Sequence, residues 1–118
     1  MPVYPSWSGV SLIVQIVRFE ADDNPGWVAC EFEDADGSRH TLIDKVPIFT
    51  IEMLDANSAY PQPGLVRCEV LNRLQDRGGK ELIRVTTASP DGVESTQGLK
   101  EFVVLPPQLS MEKGESTT

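Results

Sequence analysis

The stretch Val10-Ser-Leu-Ile-Val-Gln-Ile-Val-Arg-Phe-Glu20 decides the fold class. It is rich in β-branched residues, and an alternation of period two puts Val10, Leu12, Val14 and Ile16 on one face. Ser11, Ile13, Gln15, Val17 and Phe19 fall on the other. Both faces are largely apolar, which predicts a long central strand. Ala21-Asp-Asp-Asn-Pro-Gly26 then stops it with turn residues.

Downstream, Trp27-Val-Ala-Cys-Glu-Phe-Glu33 alternates as a half-buried strand, with Val28, Cys30 and Phe32 inward and Trp27, Ala29, Glu31 and Glu33 outward. Asp34-Ala-Asp-Gly-Ser38 is a hairpin connection in which Gly37 supplies the positive φ, and His40 to Val46 returns as the partner strand. Leu65 to Leu74 alternates again with Val66, Cys68 and Val70 inward. Asp76-Arg-Gly-Gly-Lys80 turns it into Glu81 to Thr87, and Glu101 to Leu105 is a last strand ended by Pro106-Pro107. Between the two hairpins, Pro47 to Gly64 is an irregular stretch in which Phe49 to Leu54 fits either one helical turn or a short extended piece. A loop of that length is either functional or packed by its own side chains.

These elements predict an all-β domain of about six strands. Strands this short leave open edges unless the sheet closes or folds over itself, so the expected architecture is a small closed or partly open barrel or roll, SH3-like or OB-like. The chain has 118 residues, 40% of them hydrophobic. That suffices for one domain without disulfide or metal support. Residues 1–109 are expected to form that single β domain, and 110–118 a disordered tail without core-forming content. The start at Met1 lacks the positive n-region and cleavage site of a signal peptide, and no apolar run approaches membrane-spanning length. The expected location is therefore the cytoplasm. Cys30 and Cys68 fit that compartment as buried, reduced thiols.

The net charge is −8, and it is local. Seven of the 18 acids, Glu20, Asp22, Asp23, Glu31, Glu33, Asp34 and Asp36, lie between residues 20 and 36 with no Lys or Arg among them, whereas the other eleven face ten bases. A chain of this charge is repelled by phosphate backbones. The hairpin around residue 78 is mildly basic, but no aromatic residue occurs between Leu65 and Thr87 to stack on bases, so nucleic acid is not an expected partner.

Catalytic chemistry finds little support. The single histidine, His40, is expected at the surface end of a strand, with no nucleophile motif beside it. One His and two core-facing Cys supply no metal-ligand spacing, and Asp34-Ala-Asp-Gly37 places its glycine too early for a helix-flanked calcium loop. Arg77-Gly-Gly-Lys80 is too short to cradle phosphate. No catalytic residue, metal ligand or cofactor is expected.

From Tyr60-Pro-Gln-Pro-Gly-Leu-Val-Arg-Cys-Glu-Val-Leu71 to Glu94-Ser-Thr-Gln-Gly-Leu-Lys-Glu-Phe-Val-Val-Leu105, the chain resembles a group of short, uncharacterised bacterial proteins, mainly over its C-terminal half. The resemblance implies a bacterial origin and a compact β domain; no activity, cofactor or site residue comes with it.

The expectation is a non-enzymatic protein-binding domain, of inhibitor or immunity type, whose partner is another, basic protein. The expected patch is Glu20, Asp22, Asp23, Trp27, Glu31, Glu33, Asp34 and Asp36, an aromatic anchor beside charge of one sign. The apolar residues Ile48, Phe49, Met53 and Tyr60 of the long loop are a further candidate surface. The alternatives are a β-barrel binding a small molecule or, weakly, a metal ion, and a small carboxylate-based enzyme. Monomer and edge-strand dimer both stay open.

Overall fold

The predicted long strand exists as β1 (Val10–Ala21), and three others are organised around it. The computed structural model describes residues 9–111. Along one edge of β1 runs β2 (Trp27–Glu33), which pairs on its other side with β3 (Arg39–Lys45). Along the opposite edge runs β4 (Gln62–Arg67), with Ser11 across from Arg67, Ile13 from Leu65 and Gln15 from Pro63. All contacts are antiparallel. A second antiparallel sheet consists of β5 (Glu69–Gln75), β6 (Glu81–Thr86) and β7 (Glu101–Val104).

The sheets are joined by chain that barely interrupts its extended path. Only Cys68 separates β4 from β5; its amide donates to the Val10 carbonyl at 3.1 Å while the strand bends into the second sheet. The run from Leu65 to Leu74 is therefore two strands and not one. Likewise β7 passes through a 3₁₀ turn at Pro106–Gln108 into β8 (Leu109–Met111), which pairs with Val10–Leu12 of β1. Ser110 and Met111, expected in the tail, thus belong to the first sheet, because the Pro106-Pro107 turn redirects the chain onto β1 and half-buried Leu109 packs against the core. Residues 112–118, the rest of that expected tail, lie outside the described residues.

Among the described residues, eight strands in two sheets replace the expected six, and the sheets do not close into a barrel: each keeps its own ladder. What joins them is the core. The inner stripe of β1, Val10, Leu12, Val14 and Ile16, is 0–2% exposed and packs with Ile83, Val85, Phe102 and Val104 of the second sheet. Burial of this kind, at roughly 25 cal/mol per Å² of apolar surface, is the main stabilising contribution. At one seam the Ala35 amide donates to the Val103 carbonyl at 2.8 Å, which ties the β2–β3 hairpin to the edge of β7.

Strict alternation fails in one place that matters. β-Bulges fall between Ile16 and Arg18 and between Phe19 and Ala21. An extra residue reverses the face of everything after it. Phe19, expected outward, therefore lies across from buried Val28 and packs against the core.

The long connection is mostly packed by its own groups. Pro47, with its preset φ, starts the single helical turn α1 (Val46–Phe49), which buries Val46 and Phe49. The turn ends at Phe49, where the expected Phe49–Leu54 piece begins, and Thr50 to Leu54 is neither helix nor strand. Beyond it, Asp55 organises the chain: its carboxylate accepts the Asn57 amide at 2.8 Å, and its carbonyl accepts the Tyr60 hydroxyl at 2.7 Å.

Candidate binding site

The eight residues of the expected acidic patch are not gathered in one place. Glu31 and Glu33 lie on β2, and both face Arg39 of β3, at 3.7 and 3.4 Å. Glu20 is paired with Arg18. Trp27 is half-buried, with the Lys45 ammonium 5.0 Å from its ring centroid. Asp22 and Asp23 are exposed in the turn before β2, and Asp36 is exposed in the turn after it. The length of β2, about 20 Å at ~3.3 Å per residue, separates those two turns.

Asp34 is occupied locally. One of its oxygens accepts the Asp36 and Ser38 amides at 2.9 and 3.0 Å, and the other lies 2.8 Å from His40 Nε2. Burial alone would raise the Asp34 pKa, but the hydrogen bonds from His40, Ser38 and Asp36 and the charge of His40 outweigh it and hold the carboxyl below its ordinary value. His40 is correspondingly not a surface residue. Its side chain is only 9% exposed, between the rings of Phe32 and Phe102 at 5.2 and 4.9 Å. Its Nδ1 is buried and has no hydrogen-bond partner among the described residues. With one nitrogen held by Asp34 and the other sealed off, the imidazole forms part of the seam between the sheets.

Cys30 and Cys68 are both buried and reduced. Burial pushes each thiol up to about 12, with the charge of Glu69 adding to the effect at Cys68. At neutral pH neither is a thiolate, so neither is a nucleophile. Among the described residues, no three His, Cys, Asp or Glu side chains are placed to hold a metal ion, and no helix is long and apolar enough to cross a membrane.

A further concavity lies elsewhere, on the outer face of the first sheet. It is a groove of about 700 Å³. The cross-strand pairs Ser11–Arg67 and Ile13–Leu65 lie along its floor, and the second leaves both side chains 42% exposed. α1 and the residues after it form the wall. Gly64 makes that wall possible: a Cβ there would sit 2.8 Å from Ile16 Cγ1 and 3.2 Å from the Phe49 carbonyl oxygen, so only glycine lets α1 approach β4 so closely. At one end Arg67 holds Asp91 in a bidentate pair, Nε–Oδ2 3.1 Å and Nη2–Oδ1 2.7 Å. On the rim stands Ile51, 98% exposed, followed two residues later by Met53 at 95%.

A smaller pocket of about 420 Å³ lies against the same loop, lined by Phe19, Glu20, Asp22 and Asp55 among others. The structure thus brings two acids of the expected patch beside a loop acid 33 or more residues away in sequence. Met53, Ile48 and Phe49 were expected at a surface of this loop, and Ile48 and Phe49 line the groove. Ile13, Leu65 and Ile51 escaped sequence reasoning. Their signal was an apolar residue on the outward positions of two strands and in a polar turn.

No protein-family model, curated protein or solved structure matches the chain.

Proposed function

We propose that this chain is a non-enzymatic protein-binding domain, a partly open β roll that receives an apolar segment of a partner protein in the groove between α1 and the β1–β4 ladder. The observation that carries this reading is the near-complete exposure of Ile51 on the rim of a groove that also holds half-exposed Ile13 and Leu65. Large apolar side chains grouped around a concavity and left in water are an unfavourable arrangement for a lone domain, and a covering partner relieves it. A cluster of this kind, rimmed by polar groups, has the composition of an interface centre.

The test uses surface variants that leave the core untouched. Wild-type protein and an Ile51→Asp/Met53→Asp variant are used as bait in a lysate of the source cells, and captured proteins are identified by mass spectrometry. The expected result is one stoichiometric partner retained by wild type and lost with the variant. Identical captures by both baits would sink the assignment of this surface.

The volume of the groove also falls within the usual range for small-ligand sites of about 300–1,000 Å³, which favours an apolar small molecule as a second reading. A melting temperature raised by such a molecule in wild type and unchanged in an Ile13→Asp variant would support it.

A further inference from the structure

We infer that the partner segment enters the groove as an extended strand, pairs with the free edge of β4, and turns uncharged apolar side chains toward the groove at every second position. This rests on the reading of the groove as a protein-binding surface and specifies the backbone form and the chemistry of what it receives.

Main-chain geometry carries the inference. β4 ends the first sheet: among the described residues its one strand neighbour is β1. The Cys68 amide donates to the Val10 carbonyl, which makes Val10 and Cys68 a hydrogen-bonded pair. Such pairs recur at every second residue of an antiparallel ladder, so Leu12–Val66, Val14–Gly64 and Ile16–Gln62 are the others. Pro63 and Leu65 therefore aim their main-chain groups away from β1. Proline, with no N–H to offer, fits such an outward position on an edge strand. The Pro63 carbonyl and the Leu65 N–H and carbonyl have no hydrogen-bond partner among the described residues. Both residues line the groove, and Gly64 between them, having no side chain, lines it with its main chain. An edge of unpaired donors and acceptors beside apolar side chains is the template on which an incoming strand adds to a sheet.

Charge sets the side chains. The charged residues that line the groove are Arg67 and Asp91, and each is matched by the other in their bidentate pair. A charged side chain brought into this neutral groove loses water and gains no counter-charge from it, whereas an uncharged apolar one covers Ile13, Leu65 and Ile51. Side chains alternate along a strand, so every second residue of the segment faces the groove. Between Pro63 and Arg67 the groove follows β4, which matches a segment of about five residues.

Amide hydrogen exchange of the full chain, read residue by residue by NMR, tests the edge first. The Leu65 amide is expected to exchange fast, while those of Gly64 and Val66, bonded to β1, exchange slowly. A Leu65 amide already protected in the free chain overturns the inference, and sedimentation then tells whether a second copy covers the edge or the chain does so itself. The probe for binding is an end-blocked, labelled peptide of alternating leucine and threonine, titrated by fluorescence anisotropy. Its binding is expected to slow Leu65 exchange by about tenfold or more. Two N-methylated forms follow, one methylated on the leucine amides and one on the threonine amides. One of them is expected to bind about tenfold more weakly than the parent, because its pairing edge is blocked. Alternating glutamate–threonine and lysine–threonine peptides are expected not to bind. Parent-like binding by both methylated forms, or a Leu65 amide unchanged by the peptide, overturns strand pairing. If Ile51→Asp/Met53→Asp still abolishes binding of the leucine–threonine peptide in that case, the groove reading stands without it. Equal binding of either charged peptide overturns the uncharged segment, and failure of every peptide to bind overturns the inference as a whole.

Discussion

The acidic face of β2 and the loop after α1 are both exposed, but in opposite conditions. Along β2 each conspicuous charge has found a partner: Arg39 lies between Glu31 and Glu33, Asp34 holds two amides and an imidazole, and Lys45 covers Trp27. On the loop, Ile51 and Met53 stand almost wholly in water, and Asp55 has a turn amide but, among the described residues, no cation. Charge excess in a sequence counts residues; it does not count unsatisfied potential. The most exposed large apolar side chains stand on the loop, although the charge run is centred on β2.

That contrast is open to experiment, and the largest expected effect lies beneath the groove. Leu12 and Ile13 are neighbours on β1, one fully buried and the other 42% exposed. Leu12→Ala removes a side chain from the middle of the core and is expected to cost about 3 kcal/mol in urea denaturation. Ile13→Ala is expected to cost less than about 1 kcal/mol and to weaken partner binding instead. Equal losses of stability would mean that the groove floor is part of the core and not an open surface.

The groove wall is the next target. Gly64→Ala forces a Cβ against Ile16 and the Phe49 carbonyl, and neither can retreat without moving α1 or the β1 stripe. Overpacking of this kind costs about 2 kcal/mol. The same displacement opens the wall, so binding falls together with stability, unlike the pure binding loss expected for Ile51→Asp. Parallel chemical denaturation and binding titrations separate the two.

On the acidic side, Asp34→Ala is expected to cost about 1.5 kcal/mol, because it removes two turn hydrogen bonds and leaves the largely buried His40 Nε2 without its acceptor. Its pH dependence has a definite sign. The carboxyl is held below its ordinary value of about 3.8 in the fold, so its contribution is complete above that value and is lost as pH falls through the lower folded value. The stability difference between wild type and Asp34→Ala should therefore be constant near neutrality and shrink below about pH 4. A difference that grew on acidification would contradict the assigned hydrogen bonds.

How far all this was legible in the chain depends on the range of the forces involved. Inner stripes and hairpins follow from local periodicity and turn chemistry, so Val10 to Ile16 and the glycines at 37 and 79 could be placed from neighbours alone. The bulges that turn Phe19 inward, the bend at Cys68 and the pairing of Ser110 with Ser11 depend on partners far away in sequence. His40 was misplaced for the same reason: Phe102, which covers it, is 62 residues distant. The groove combines Ile13, Ile51 and Leu65 from three segments, and only the register of β1 with β4 and the absence of a side chain at Gly64 assemble them.

The smallest effect probes the acidic face directly. Arg39 is 64% exposed and its contacts with Glu31 and Glu33 are long, so Arg39→Ala is expected to change stability by less than about 0.5 kcal/mol. Yet it uncovers two carboxylates at once, which restores the continuous acidic strand face that the sequence suggests. If that face were the binding surface, the partner captured by wild type would bind Arg39→Ala differently, by severalfold at low salt. With recognition centred on the groove, its affinity should stay within about twofold of wild type, while Ile51→Asp/Met53→Asp weakens it at least about tenfold. A reversal of that order would move the site from the loop to β2, because the two variants alter separate surfaces, one on the β2–β3 ladder and one on the loop after α1.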